Sequence, residues 1–361
     1  MHGPGSMRHR LNGFFEAQLQ TALNASGPPM KTISMLLMLT SLSIIEAGEK
    51  QVEPVRTGQG EGIYETVPGW PLYPEGKKLG DLHGDLAADS QGKVYIATAN
   101  TIQIIGADGA YEGEVRTGDG KVFKAVHGMK VRKIKGEELL LLAMPRIKRV
   151  VAVKPDGTVV WQIIGPPPGQ GLYRSRNEYN PTDMDVAPDG RVYVVDGYGK
   201  SLVHVYDGSR EYLKSFGGKG KENGKFDICH NILVDTRREI PSLLISDRQN
   251  NRLQQHDLDG KFLRTIDDRL GRPCAADIHE GLLAVGELDG RISLYDHDYQ
   301  LVSRLGDEKK DRRKASNQVA PDHWHEGELI AVHGCTFDSR GDLYAQEWNV
   351  HGRVTKYTKV R

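Results

Sequence analysis

After residue 50 the chain alternates short apolar runs with polar breaks, and no long stretch carries the 3.6-residue period of an amphipathic helix. One unit recurs: an apolar strand, an Asp-x-(x)-Gly turn, a second apolar strand, a Gly/Asn/Asp break and a third strand. Its clearest copies span 85–98, 183–207 and 334–357, and weaker ones span 127–153, 230–257 and 275–296. Runs such as VYVV (192–195) and LLLL (139–142) read as strands, and Asp156-Gly157, Asp189-Gly190, Asp259-Gly260 and Asp289-Gly290 read as the turns between them. Aligning the first strand of each copy puts His83, His127, Thr182, His230, Cys274 and His333 at one equivalent position. Steps of roughly 40–50 residues, each with three or four strands, are the mark of propeller blades. The pattern therefore predicts an all-β, six-bladed β-propeller over 79–361; a pair of β-sandwiches, the runner-up, leaves the fixed repeat unexplained.

The segment before the repeats reads differently. Residues 1–29 show no hydrophobic period and are taken as disordered or upstream of the true start. Met30-Lys31, the apolar run Ile33–Ile45 and Ala47-Gly48 have the charged, apolar, small order of a signal peptide over 30–48. The alternative is a buried N-terminal helix; the run is too short to span a bilayer comfortably. Residues 49–78 are an N-terminal extension that either completes a blade or crosses the rim. Export, periplasmic or secreted, is the expectation, with no membrane association beyond the signal.

Composition narrows the function. The chain has 48 basic and 48 acidic residues, so it has no net field to gather nucleic acid or a lipid surface. With 3 cysteines it cannot build a disulfide framework; Cys229, Cys274 and Cys335 read as buried small residues.

The candidate chemistry comes from the geometry of the repeat. Inner strands line a central channel, so equivalent residues at their starts converge on one mouth. His127, His230 and His333 stand 103 residues apart each time, in blades two, four and six. Three neutral imidazoles from three sides leave open positions on a divalent ion, the arrangement of a catalytic zinc or similar transition metal. His83 is expected as a fourth ligand, a hydrogen-bonding neighbour of the ligands or channel lining, with the second role preferred. Where the first strands start the antiparallel second strands end, which is expected to bring Asn100, Arg146, Asp196 to Tyr198, Asp247-Arg248, Glu287 and Glu347 to the same mouth. Arg146 and Glu347, with His83, are the candidates to surround the metal. His204, His256, His279, His297, His323 and His325 fall outside the repeat pattern and read as packing or surface residues. The basic run Lys309 to Lys314 reads as a solvated loop.

The stretches NPTDMDVAPDGRVYVVDGYGKSLVHVYDG (180–208), GKFDICHNILVD (224–235) and LLISDRQNNRLQQHDLDGKF (243–262) resemble NHL-repeat propellers and, among them, peptidyl-α-hydroxyglycine α-amidating lyase. The similarity runs from about 80 to 360 and is strongest over 178–267. It implies zinc on His127, His230 and His333, a catalytic tyrosine at Tyr198 in a DGY motif, and a substrate-binding arginine at Arg248 in a DRxN motif. The implied reaction cleaves the C–N bond of a C-terminal α-hydroxyglycine to an amidated peptide and glyoxylate. The sequence departs from the family at VYIATAN (94–100), where an arginine is missing, and at Gly334, where the family has a calcium-binding aspartate. The family's paired cysteines are also absent. These departures count against calcium and against strict amidating-lyase specificity. The chain also resembles exported bacterial NHL proteins through PGWPLYPEG (68–76), His83 to Asp85 and EWNVHGRVTK (347–356). Two readings are carried forward: a zinc-dependent lyase acting on a small carboxylated or peptide substrate, and a non-catalytic propeller binding a protein or glycan. A sugar lactonase fits less well, because such propellers place Glu, Asn and Asp on the axis where this chain has histidines.

Overall fold

Alternate residues of the second strands are apolar on both faces, so each strand must be covered from both sides, and the structure does this by wedging six sheets around an axis. The computed structural model describes residues 52–169, 171–306 and 313–361. The sequence readings for 1–29 and for the signal at 30–48 lie outside them. Val52–Arg361 is one compact unit. Its first five blades are antiparallel four-stranded sheets whose strands follow one another in chain order, with inner strands Leu86–Ala88, Gly128–Ile134, Asp183–Val186, Cys229–Asp235 and Pro273–His279. The sixth begins at Val332–Phe337. Inner strands of successive blades touch around a closed ring, the sixth meeting the first. A pair of β-sandwiches is excluded.

Each gap between adjacent blades holds its own apolar cluster. In blade two Leu140 and Leu142 fill the gap toward blade one, while Leu139 and Leu141 fill the gap toward blade three. Burial on both faces is why this antiparallel strand reads as an unbroken apolar run, in place of the one-sided alternation of a half-solvated sheet.

The ring is closed by the segment before the first repeat. Tyr64–Thr66 pairs antiparallel with Arg353–Lys359, the third strand of blade six, and Arg56–Thr57 adds a further edge strand. From residue 56 onward the extension thus completes a blade. Tyr64 is fully buried in the cluster between blades five and six. Tyr64→Ala is expected to cost about 3–5 kcal/mol of unfolding free energy, read by urea denaturation, because it removes a buried ring from the strand that latches the circle. Among the described residues no helix is long and apolar enough to cross a membrane.

Candidate metal centre

Backbone irregularity, not strand regularity, turns the key side chains inward. In blades four and six the ladder between the first two strands skips a residue, at His230 (Cys229 pairs with Asp247, Asn231 with Ser246) and at His333. Such a bulge re-aims the extra side chain. Two residues before His127 and His230, Ala125 and Ile228 have φ of 50° and 61°. A β-branched residue is an outlier in that region, so tertiary contacts hold the kink. His127 precedes Gly128, where an added Cβ would lie 2.5 Å from the Thr182 carbonyl oxygen. Only glycine lets blades two and three approach this closely.

The three histidines meet. The ring centroids of His127, His230 and His333 form a near-equilateral triangle with sides of 4.7, 4.7 and 4.9 Å. Each Nδ1 bonds a backbone carbonyl of the next blade: His127 to Thr182 at 2.8 Å, His230 to Cys274 at 2.7 Å and His333 to Gly84 at 2.8 Å. Since a carbonyl only accepts, each Nδ1 carries the proton and each Nε2 is left with a lone pair. This is how proteins fix the tautomer and aim of a metal-ligating imidazole.

Counting protons shows what is missing. The Tyr198 hydroxyl lies 3.0 Å from His127 Nε2 and 3.1 Å from His230 Nε2, yet it has one proton to give. His333 Nε2 is buried with no partner. Two of three lone pairs therefore lack a donor. Protonating the rings does not answer this: burial first, then neighbouring charge from His83 and Arg248, pushes the pKa of His127 down to about 3, and burial drives His230 and His333 far down as well. Buried acceptors with no hydrogen available, on three neutral imidazoles, fit a bound transition-metal cation of the zinc type.

Tyr198 and Arg248 arrive on loops clamped by buried acids. Asp196 accepts from the Asn180 and Lys200 amides at 2.5 and 2.7 Å and from the Tyr173 hydroxyl at 2.6 Å, fixing the turn that carries Tyr198. Asp247 does the same for Arg248, accepting from the Asp227 amide and from Arg252, each at 2.7 Å. The Arg248 guanidinium donates to the Tyr198 hydroxyl oxygen at 3.2 Å and lies over its ring. Burial raises the Tyr198 pKa while the Arg248 charge opposes the rise.

Several expectations change. Inner-strand pairing sets Leu86 opposite Ile96 as it sets Met184 opposite Val194, so Gly84, not His83, is the equivalent of Thr182. His83 sits one residue earlier, its ring 5.6 and 5.2 Å from those of His127 and His333 and 5.5 Å from Trp348. The donor nitrogens of His83, His127 and His333 lie within 4.8 Å of one another, a second possible triad. The two sets share His127 and His333 and differ in the third ring: His230 is buried and fixed through its Nδ1 bond to Cys274, whereas His83 is exposed and, among the described residues, no hydrogen bond fixes its tautomer. Although His83 keeps an exposed surface, the protein packed around it lowers its pKa; Asp81 opposes this, and the Arg248 and Arg146 charges add to it. Arg146 is exposed in the turn Pro145–Ile147 after the second strand of blade two, beside this cluster.

Glu347 is not brought to the imidazole trio. It is fully buried, accepts from the Ile330 and Ala331 amides at 2.8 and 3.0 Å and pairs with Arg353. The acid ending a second strand is a clasp in blades three to six, and only the one or two residues beyond it can face the mouth. The repeated acid was the available signal for these clasps; the carbonyls of Thr182, Cys274 and Gly84 had none, because every residue has one. An aspartate in place of Gly334, as the resemblance implies, does not fit, because a Cβ there would run into the Asp85 carboxyl. All three cysteines are buried and free. His204 and His256 are packed inside the structure, and His297, His323 and His325 are exposed, as the repeat pattern implied. Lys314 of the basic run is not a solvated side chain, since its ammonium bonds the Gly290 and Leu329 carbonyls.

No family model matches the chain. Among solved structures, a gluconolactonase from Xanthomonas campestris is similar over 84% of this chain and 94% of its own, at a TM-score of 0.58 and 14% identity. A streptogramin B lyase is similar over 78% of this chain and 96% of its own, at a TM-score of 0.52 and 14% identity. Likeness at this identity establishes the propeller fold, and both neighbours carry enzyme names.

Proposed function

We propose that this chain is an exported, zinc-dependent propeller lyase of the amidating-lyase kind, cleaving a C–N bond in a small carboxylated or peptide substrate. The observation that carries this reading is the set of three Nδ1-locked imidazoles whose lone pairs outnumber the protons available to them. A zinc-like ion on His127, His230 and His333 would supply Lewis-acid polarisation of a substrate oxygen.

The protein's own groups account for the remaining steps. Arg248, half-buried at the mouth, binds the substrate carboxylate through its guanidinium and orients the neighbouring carbon. Tyr198 takes the proton of the α-hydroxyl at its hydroxyl oxygen, which calls for its phenolate form; burial raises the Tyr198 pKa and opposes that form, the Arg248 guanidinium at 3.2 Å offsets part of the rise, and the charge of a bound ion would supply the rest. As the electron pair of the former O–H bond forms the carbonyl of glyoxylate, the C–N pair leaves with the amide nitrogen, and the proton held by Tyr198 passes to that nitrogen. Atoms and charge balance without water or an oxidant.

Release of glyoxylate from a peptide ending in α-hydroxyglycine, by protein purified without chelator, tests the reaction. A metal-loaded protein that releases none removes the lyase reading and keeps the centre. Arg248→Ala is expected to raise KM for the carboxylated substrate about 10- to 100-fold, the value of a lost charge-assisted hydrogen bond. Its effect should be much smaller on a substrate analogue amidated at that carboxylate.

A further inference from the structure

On the inner strand of blade two, just past His127, the structure buries an ammonium group in the setting of a metal ion. Lys130, three residues after His127, pairs with Asp183, and both side chains are almost wholly buried, at 6% and 3% exposure. The oxygen that meets Lys130, Asp183 Oδ2, also accepts from Asn231 Nδ2 at 2.7 Å and from the Ile232 amide at 3.0 Å. One carboxylate thus ties blades two, three and four at the residues next to Thr182 and His230. A second buried carboxyl, Asp85, borders the same crevices. Burial pushes it well above the usual carboxylate range, and the Lys130 charge is the chief influence drawing it back. The free oxygen of Asn231, Oδ1, is buried with no partner.

The Asp183 carboxylate, the Asp85 carboxyl and the Asn231 amide oxygen, all buried, are oxygen donors of the kind a hard cation takes. Here the cation is covalently attached. An unpaired carboxylate in such a place is costly, so a positive charge of some origin is required.

We propose that Lys130 is the resident cation of the channel: its ammonium occupies the place of a second, hard metal ion and, through Asp183, holds the strands carrying His127 and His230 in position. Lys130 is a positioning residue, and the chain needs one transition metal and no calcium. This does not depend on the lyase reaction, only on the placement of the trio.

The test has two arms. Wild-type protein equilibrated with zinc and calcium and then desalted is expected to carry about one zinc and less than about one-tenth of a calcium per chain, and its melting temperature is expected not to respond to millimolar calcium. Lys130→Ala, with the site vacated, is expected to melt lower and to regain most of the loss as calcium is added, in a saturable manner. Lys130→Met, which fills the space without charge, is expected to bind zinc about 10- to 100-fold more weakly by chelator competition and to ignore calcium, a readout that simple loss of packing does not move. Stoichiometric calcium in the wild type overturns the proposal. So does a folded Lys130→Ala that is indifferent to calcium and binds zinc like the wild type. If Lys130→Ala does not fold, the calcium content of the wild type and the zinc affinity of Lys130→Met decide. Failure of the glyoxylate assay leaves all of these outcomes untouched, so the two proposals fail separately.

Discussion

His230→Ala is expected to lower the metal content of the purified protein from about one ion per chain to below about one-tenth, with the far-ultraviolet signature of the strands unchanged. Its imidazole is one corner of the 4.7, 4.7 and 4.9 Å triangle, and its Nδ1 bond to Cys274 at 2.7 Å is what aims the lone pair inward. Two imidazoles on a neutral hub hold a divalent ion far more weakly than three. The exposed His297 is the matching control, and His297→Ala is expected to leave the content unchanged. Chelator is expected to lower the melting temperature of the wild type, since an ion bound only by the folded state stabilises it by an amount that grows with the logarithm of the free-ion concentration relative to Kd. It should have no such effect on His230→Ala. A variant that keeps a full equivalent of metal would show that the trio is not the ligand set, and His83 with His127 and His333 would then be the set to examine.

The second large effect is expected at Tyr198. Tyr198→Phe removes a hydroxyl that touches His127 Nε2, His230 Nε2 and the Arg248 guanidinium at 3.0, 3.1 and 3.2 Å, and it preserves the ring over which Arg248 lies. If that oxygen accepts the substrate proton, kcat for glyoxylate release should fall about 10²- to 10⁴-fold, with metal content unchanged and KM little altered. Loss of metal with the hydroxyl would instead make Tyr198 a ligand. Unchanged kcat would remove it from the chemistry.

The contrast between His83 and His127 shows how far the repeat could be read. Both precede glycine in similar text, and the repeat pattern makes them equivalent. The ladder in blade one instead sets Gly84 at that place and gives its carbonyl to His333, on the far side of the ring closure. Glu347 teaches a related lesson. Its position at the end of a second strand was legible, but whether a carboxylate there faces the mouth or clasps the amides of Ile330 and Ala331 depends on the loop that enters the blade. Lys130 stands in a weak copy of the repeat with no motif around it, and its pairing with Asp183 of the next blade is what gives it a meaning.

The sequence alone determined the strands, the six-fold repeat and the placement of three histidines in alternate blades, because apolar periodicity and turn residues are local signals that survive without neighbours. Tertiary structure decided which register each inner strand takes, that the segment from Arg56 to Thr66 latches the circle, and which carbonyls lock the three imidazoles. Those features are pairings between residues far apart in the chain, many of them through backbone atoms that every residue shares, so no residue type along the sequence announces them.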